Sequence, residues 1–337
     1  MVHSYTLIKE EKGEIMLPLT GMLAIYYRIH PERKILFGNK EGYKQGDSIY
    51  FTISGRNKET ILTEQAAVTY FLKEQPVEIM TLPIPNLQGE WFTSYGENIW
   101  MVIQMQQVDN REYSAKPAGI RLAEFHQIGT AFGYEPKSIS SYGKWKALWI
   151  DKLTAFETGI EREAKEKQSE YNRALMNFLP YIIGISENAI QFLQESERER
   201  RILETDQGTI TFNRYESLDF PVIWTDQLVY DHPARDIAEY IRSVILNNDK
   251  VEKTIAFLND YQQVAPISVF GWRLVYARLL FPIHLFDFIE RGFTTPDIKG
   301  LEKIIEQQSV FESFLSEFFE ITGVDAETWG IPMVHWL

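Results

Sequence analysis

The 337-residue sequence contains 45% hydrophobic and 24% charged residues, an ordinary globular balance that excludes wholesale disorder and supports two domains or one bilobal unit. Its net charge of −13 argues against a surface for nucleic acid or anionic membrane, so any nucleotide site would need local cations or Mg²⁺. The absence of cysteine excludes disulfides, thiolate metal sites and cysteine nucleophiles.

The first sixteen residues, MVHSYTLIKEEKGEIM, lack the basic and apolar segments of a signal peptide. No stretch approaches the roughly 18 uncharged apolar residues that a membrane span requires. We therefore expect neither a signal peptide nor a membrane span.

Residues 1–105 read as short strands with one helix among them. The alternating segment Ser48–Ser54 predicts a strand, and the helical spacing of Glu59–Gln75 predicts a helix that ends at Pro76. Two further strands are predicted on either side of a hairpin turn at Tyr95–Asn98. Together these elements indicate a small α+β layer.

From residue 116 the pattern is helical. A long helix is predicted from Trp145, with the charged run that follows as its solvated face, and Pro180 is predicted to break it before a second helix ends near Ser196. Two β-rich runs then flank Glu216–Asp219, which predicts a hairpin.

The chain is predicted to be helical again from Pro233 onward, with Pro266, Pro282 and Pro296 between helices. The composition changes from mixed to helical near residues 105–116. We therefore predict a lobe boundary there, with residues 1–105 and 106–337 as the two parts.

Three acids define the candidate site: Asp206 in a glycine-containing loop, Asp226 just after the apolar strand Val222–Trp224, and Asp236 at a helix start. An acid in a loop and another at a strand end, joined by a hairpin, is how phosphotransferases place a base near a metal ligand. On the sequence alone, a turn residue is the favoured interpretation of Asp206, and helix capping explains Asp236 without chemistry.

Several segments together resemble the aminoglycoside phosphotransferase and choline kinase branch of the kinase-like superfamily. They are LAEFH at Leu122–His126, GKWKALWIDKLTAFE at Gly143–Glu157, TDQGTITF with WTDQ, HPARDIAEYI, and RLLFPIHLFDFIERGF at Arg278–Phe293. Within that branch the chain most resembles the CotS/YutH-type spore-coat-associated proteins of endospore-forming bacteria. The resemblance covers residues 116–293, and the amino-terminal part is matched by layout only. It implies an α+β, bilobal protein-kinase-like fold with a small β-rich N-lobe and a large helical C-lobe.

The resemblance also assigns roles in the catalytic and metal loops. Asp206 stands at the catalytic aspartate, whereas Glu204 replaces the histidine two positions before it and Thr211 replaces the asparagine five positions after it. Asp226 keeps the metal carboxylate. A threonine hydroxyl is a weaker magnesium ligand than the asparagine amide oxygen.

The phosphate-binding parts of the N-lobe are also incomplete. The strand expected to carry a lysine, Ser48–Ser54, has none, and Lys44 and Lys58 only flank it. Gly42 and Gly46 are predicted to serve tight turns rather than a phosphate loop. Glu64, at the position of the lysine's helical partner, is predicted to be a surface residue. Losing one charge-stabilising group typically costs about 10²–10³-fold in rate, so losing two predicts a degenerate site.

Of the histidines, His126 is predicted to be structural, and His232 to orient the helix that follows. The Walker loop, the dinucleotide fingerprint, HExxH and G-x-S-x-G are absent from the sequence.

The leading hypothesis is a spore-coat-associated protein with a non-catalytic binding or assembly role among other spore-coat proteins, a role implied wholly by the resemblance. It would be made in the mother-cell cytoplasm and deposited on the spore coat, with no certain cofactor. The first alternative is an active kinase for an aminoalcohol or sugar, in which Asp206 accepts the hydroxyl proton, Asp226 holds Mg-ATP and Lys44 or Lys58 serves the phosphates. The second is a pseudokinase that binds nucleotide without turnover.

Overall fold

The computed structural model describes residues 19–38, 40–76, 80–106, 116–167, 169–198, 203–215, 222–332 and 334. They form two compact units. The sheet unit comprises residues up to 115 with segments 131–140 and 218–229, and the helical unit comprises 116–130, 141–217 and 230–337. The predicted boundary at 105–116 falls largely on 107–115, and the predicted hairpin turn falls on 216–219. Both lie outside the described residues.

The sheet unit is built on a six-stranded antiparallel sheet of order β1-β2-β3-β6-β4, with β5 also paired to β6. The strands are β1 Arg33–Phe37, β2 Lys40–Gln45, β3 Ser48–Ser54, β4 Leu82–Ile84, β5 Thr93–Tyr95 and β6 Asn98–Gln106. The predicted strand at Ser48–Ser54 is confirmed. The predicted hairpin is confirmed too, because Tyr95 pairs directly with Asn98.

One helix covers each face of the sheet. Helix α2, Glu59–Lys73, packs on the face that carries Ile49 and Phe51, and helix α1, Leu19–Tyr27, packs on the opposite face, against Tyr43. Because strand side chains alternate, β3 contributes to both cores. Helix α2 confirms the prediction, whereas α1 was not predicted, since its nearly all-apolar sequence shows no polar face from which a helical period could be read.

The glycines of the first two hairpins have different roles. Gly38 and Gly46 adopt positive φ in the β1–β2 and β2–β3 turns, which confirms the turn role of Gly46. The turn prediction is wrong for Gly42, which lies inside β2. A Cβ there would lie 2.7 Å from the Phe51 ring, so Gly42 is required for packing.

The helical unit contains nine helices within its described residues: α3 Ala118–Thr130, α4 Trp145–Glu166, α5 Glu170–Arg198, α6 Ala234–Leu246, α7 Glu252–Val264, α8 Val269–Leu280, α9 Ile283–Gly292, α10 Ile298–Ser316 and α11 Phe318–Thr322. Strand β7, Thr209–Phe212, pairs with β8, Leu228–Asp231, whose last two residues belong to this unit. The prolines at 266, 282 and 296 fall between helices, as predicted.

The predicted break at Pro180 is wrong. Helix α5 runs through Pro180, and the chain leaves its helical path between Glu166 and Glu170 instead. Asn172 fixes that connection, because its side-chain amide donates to the carbonyls of Glu163 and Lys167 at 3.2 and 2.8 Å. Pro180 lies on the exposed face, where water can satisfy the carbonyl that lacks a partner.

Among the described residues, the stretch Val269–Gly292 is long and apolar enough to cross a membrane by length and composition. It forms two helices, α8 and α9, separated at Pro282, and 78% of its most apolar window is buried inside the protein. Core packing accounts for its composition.

We expect Gly42→Ala to lower the free energy of unfolding by about 1–3 kcal/mol, because the added methyl group overpacks the sheet against Phe51. Gly133→Ala, at an exposed position with open space around the new Cβ, is the matched control and should change it by less than about 0.5 kcal/mol. Urea denaturation measures both. Equal stability of the two variants would contradict the packing role.

Candidate functional site

Asp226 lies in a short 3₁₀ turn of the sheet unit, Thr225–Gln227. Buried Thr225 holds this turn in place, since its hydroxyl donates to the Thr81 carbonyl at 2.7 Å and its amide donates to the Thr81 hydroxyl at 2.9 Å. The carboxylate is about four-fifths buried, with 19% of the side chain exposed.

The cation that contacts this carboxylate is Lys40, at the start of β2. Its ammonium lies 2.6 Å from Asp226 Oδ2 and 4.7 Å from the centre of the Trp224 ring. Asp226 Oδ1 is buried and makes no hydrogen bond to the described residues. Lys40 is neither of the two lysines predicted to serve phosphates. The position of Lys40 beside the Gly38 turn is the one sign of it in the sequence. The contact with Asp226 could not be predicted from that, because the two residues are 186 positions apart.

Three aromatic rings pack beside the Lys40–Asp226 pair. Trp224 meets Phe51 and Phe37 edge to face, with ring centroids 4.8 and 5.9 Å apart, and the two phenylalanines are 6.3 Å apart. The aromatic trio, defined as Phe37, Phe51 and Trp224, belongs to the core beneath α2.

Glu64 on α2 is partly exposed at the surface, as predicted, but its carboxylate is not left to solvent. Its carboxylate accepts backbone hydrogen bonds from Lys137, Ser138 and Ile139 at 3.0, 2.7 and 3.0 Å. Three successive backbone amides that point at one place form an anion-binding concavity, and here the anion is the Glu64 carboxylate. Glu64 therefore anchors segment 131–140 to α2.

Asp206 lies in the helical unit, with 1% of its surface exposed. Its Oδ1 accepts a hydrogen bond from the Ser268 hydroxyl at 2.5 Å and lies 3.4 Å from His232 Nε2, and its Oδ2 accepts from the Leu203 amide at 2.7 Å. Burial raises the pKa of Asp206, but the hydrogen bonds from His232, Ser268 and Leu203 outweigh it and hold the pKa below its usual value.

Beside Asp206 is a cavity of about 230 Å³ within the helical unit. Apolar residues of α6 and of the α7–α8 connection, such as Ile237 and Ile267, form much of its lining, and Asp206, His232 and Ser268 supply polar atoms. The Nδ1 of His232 accepts from the Ala234 amide at 3.0 Å. His232 thus orients the start of α6, as predicted.

His126 and Asp236 form one buried network. His126 Nδ1 lies 2.9 Å from the Tyr261 hydroxyl, and its Nε2 lies 3.1 Å from Asp236 Oδ2. Asp236 also accepts from the Phe212 amide at 3.1 Å, so it joins α6 to β7 and makes no side-chain cap on its own helix. Burial raises the pKa of Asp236. The structural role predicted for His126 is confirmed.

The other two predicted positions lie beside Asp206 in sequence. Thr211 is fully buried in β7, and Glu204 opens the 3₁₀ turn that ends at Asp206, although its side chain is outside the described residues. Nowhere in the described part of the chain do three or more acids or histidines cluster as metal ligands do. Of the two positions predicted to bind magnesium, Asp226 is a carboxylate already paired with Lys40 and Thr211 is a buried hydroxyl, so the residues present do not fit a magnesium site.

An antiparallel sheet packed against a helix such as α2, followed by a mostly helical unit that contains a loop such as that of Asp206, defines the kinase-like fold of the aminoglycoside phosphotransferases. The structure is similar to an aminoglycoside phosphotransferase from Alicyclobacillus acidocaldarius, with a TM-score of 0.57 and 15% identity, over 93% of this chain and 98% of that one. It is also similar to amicoumacin kinase hAmiN, solved in complex with AMP-PNP, Ca²⁺ and Ami, with a TM-score of 0.57 and 12% identity, over 92% and 96% of the two chains. The predicted fold class is confirmed.

The sequence gives the particular family. The family model described as "Spore coat putative kinase YutH" matches residues 20–318, and the chain belongs to this family. It is 30% identical to the endospore coat-associated protein YutH of Bacillus subtilis (strain 168), over 94% of this chain and 97% of that protein. The predicted resemblance to spore-coat-associated proteins is confirmed.

We expect the contribution of Asp206 to stability to depend on pH. Because its pKa is lowered on folding, that contribution is present above the unfolded value of 3.8 and is lost as the pH falls through the lowered folded value. Asp206→Asn should therefore destabilise by about 1.5–3 kcal/mol at pH 7, since it removes hydrogen bonds to a charged group, and by less near pH 3.

Urea denaturation at both pH values measures this dependence. Asp151→Asn, at an exposed position of α4, is the control and should have a small effect at either pH. A cost of Asp206→Asn that stays constant down to pH 3 would contradict the assigned interactions.

Proposed function

We propose that this chain is a spore-coat-associated protein that uses the kinase-like fold as a non-catalytic scaffold for binding or assembly with other coat proteins. The observation that carries the proposal is the ion pair between Lys40 and Asp226. Family membership and the name of the Bacillus subtilis relative support the coat association. Synthesis in the mother-cell cytoplasm followed by deposition on the coat is part of the same proposal.

The ion pair occupies Asp226, the carboxylate predicted to bind a metal ion. Mg²⁺ is bound in phosphotransferase sites through one or two carboxylates together with substrate phosphates. At 2.6 Å the Lys40 ammonium already neutralises Asp226, and it would repel a dication approaching the same oxygen. Displacing it would also cost the contact with the Trp224 ring.

The face of the sheet beneath α2 also supports a non-catalytic scaffold. The β3 side chains packed beneath α2 are Ile49, Phe51 and Ile53, so none of them can grip a phosphate. Phe37 pairs directly with Lys40, so two residues form the β1–β2 turn, too few for a glycine-rich loop over phosphates. The aromatic trio fills the space beside them.

The surroundings of Asp206 also support a non-catalytic role. A general base needs a free carboxylate oxygen facing the acceptor hydroxyl and a pKa near the working pH. Asp206 is buried, engaged by Ser268, His232 and the Leu203 amide, and its pKa is lowered. Both effects make it a weaker base.

The second candidate is an active ATP-dependent phosphotransferase for an aminoalcohol or sugar, and one observation favours it. Lys40 is a cation beside the predicted metal carboxylate, and in a nucleotide complex it could move onto a phosphate in place of the missing β3 lysine. A pseudokinase that binds nucleotide without turnover would use the same contact.

Isothermal titration with Mg-ATP separates these candidates. For the scaffold, we expect no binding tighter than millimolar, since Lys40 neutralises the metal carboxylate and no β3 lysine holds the phosphates. Micromolar binding that Asp226→Ala abolishes would overturn the proposal, and turnover assays with aminoalcohols and sugars would then separate kinase from pseudokinase.

Lys40→Met gives opposite outcomes for the two classes. In the scaffold it frees the Asp226 carboxylate, so binding of Mn²⁺, followed by water proton relaxation, should strengthen by about tenfold for one removed charge repulsion. In an enzyme it should weaken Mg-ATP binding. Lys34→Met removes a similar ion pair on the same hairpin, to Glu41 at 2.9 Å, and is the matched control.

The assembly role is tested with a fluorescent fusion in a sporulating host. The double variant Lys40→Met with Asp226→Asn replaces the ion pair by neutral groups, and we expect it to surround the forespore as the unaltered protein does. Loss of that localisation by a folded double variant would contradict a non-catalytic role.

A further inference from the structure

A second polar site lies in the helical unit, around the buried carboxylate of Glu239. Four arginines surround the buried carboxylate of Glu239 and hold its pKa at about 2 against the effect of burial. We call them the arginine cluster: Arg214, Arg235, Arg242 and Arg278. Such a density of guanidinium groups is unexpected in a chain of net charge −13.

The ion pairs of the cluster leave one cation in excess. Arg235 pairs with Asp231 at 2.8 Å and Arg214 pairs with Asp287 at 2.7 Å. Arg242 and Arg278 must share Glu239, at 3.0 and 2.9 Å. Four guanidinium groups are thus matched by three carboxylates.

A cavity of about 210 Å³ opens beside this cluster. Arg235 and Arg278, both more than nine-tenths buried, contribute to its lining, and the partly exposed Lys152 and Arg214 contribute from nearer the surface. Among the described residues that line it, none is acidic. Cations therefore border the cavity on several sides, and their carboxylate partners lie outside its lining.

The donors that border the cavity are not all used. Arg278 Nε is buried and has no hydrogen-bond partner among the described residues, and the same is true of Arg242 Nε in the adjoining cavity. Buried N–H donors without acceptors are costly, and a bound anion would supply the missing acceptors. Stacked rings of Trp145 and Trp149 form an apolar wall, and Arg278 lies over Trp145 at 5.1 Å.

The two outer cations are held by neighbouring acids of one helix. Asp287 and Glu290 of α9 bind Arg214 and Lys152, the latter at 2.6 Å. Both pairs are partly exposed, so each is weakly held and can exchange its carboxylate for a ligand. The outer cations can therefore close over an anion without the buried arginines moving.

We propose that this cavity binds a phosphate group, either free phosphate or a small phosphate monoester. Arginine forks match phosphate oxygens through paired hydrogen bonds, and a dianion offsets more than one of the cations present. The volume of about 210 Å³ suits a phosphate with a small substituent. The site is independent of Asp206 and Asp226.

The test is isothermal titration of the full chain with inorganic phosphate and with glycerol 3-phosphate, at constant ionic strength set with chloride. We expect saturable binding of at least one of them. Arg214→Gln and Lys152→Met should each weaken it by about tenfold, the typical effect of one charge-assisted hydrogen bond. These partly exposed positions are changed so that the fold is retained.

Lys253→Met, which removes the exposed pair with Asp249, is the matched control and should bind like the unaltered chain. The two titrants distinguish a site for free phosphate from one for a monoester. Three outcomes would overturn the proposal: no saturable heat with either, equal affinity for acetate, or unchanged affinity in both variants.

Discussion

The helical unit depends on the burial of charge at the start of α6, where every ionised group must find a partner. Asp236 is fully buried and reaches two other elements, β7 through the Phe212 amide and α3 through His126. Its neighbour Arg235 donates to Asp231 and to the Phe212 carbonyl. Breaking one member of such a network leaves the others buried and unpaired, which typically costs about 3–5 kcal/mol. These two residues therefore fix the strand that follows Asp206.

The sheet unit handles charge in the opposite way. Its core beneath α2 is apolar and aromatic, and the ion pair of Lys40 with Asp226 lies at the edge of that core, where Lys40 also contacts Trp224. The carboxylate of Glu64 is likewise satisfied within the protein, because it accepts hydrogen bonds from three backbone amides. In both places a group that could serve a ligand is satisfied internally. These contacts contribute to the cohesion of the sheet unit.

Local patterns in the sequence predicted much of this fold. The hairpin at Tyr95–Asn98, helix α2 and the prolines between the late helices were all readable, because turn chemistry and helix termination act over a few residues. Helix α1 was not, since its apolar sequence hides the helical period. Pro180 was misread because proline is tolerated inside a long helix when the freed carbonyl faces water.

The candidate site was predictable only in part. The positions of Asp206 and Asp226 followed from the resemblance, but their partners did not. Lys40 is 186 residues from Asp226, and Ser268 is 62 from Asp206. Contacts between such distant residues are made by tertiary packing, and no periodic pattern in the sequence indicates them. The arginine cluster was missed for the same reason, because its members come from the loop after β7, from α6 and from α8.

The close approach of α3 to β7 has a consequence for the residue that position 129 can hold. Gly129 leaves no room for a methyl group, since a Cβ there would lie 2.3 Å from the Thr209 hydroxyl, which itself donates to the His126 carbonyl at 2.6 Å. This close packing, together with the hydrogen bonds of Asp236 and Arg235, holds β7 against α3 directly after the Asp206 loop. The position of the loop therefore depends on the absence of a side chain at residue 129 as much as on the polar groups around it.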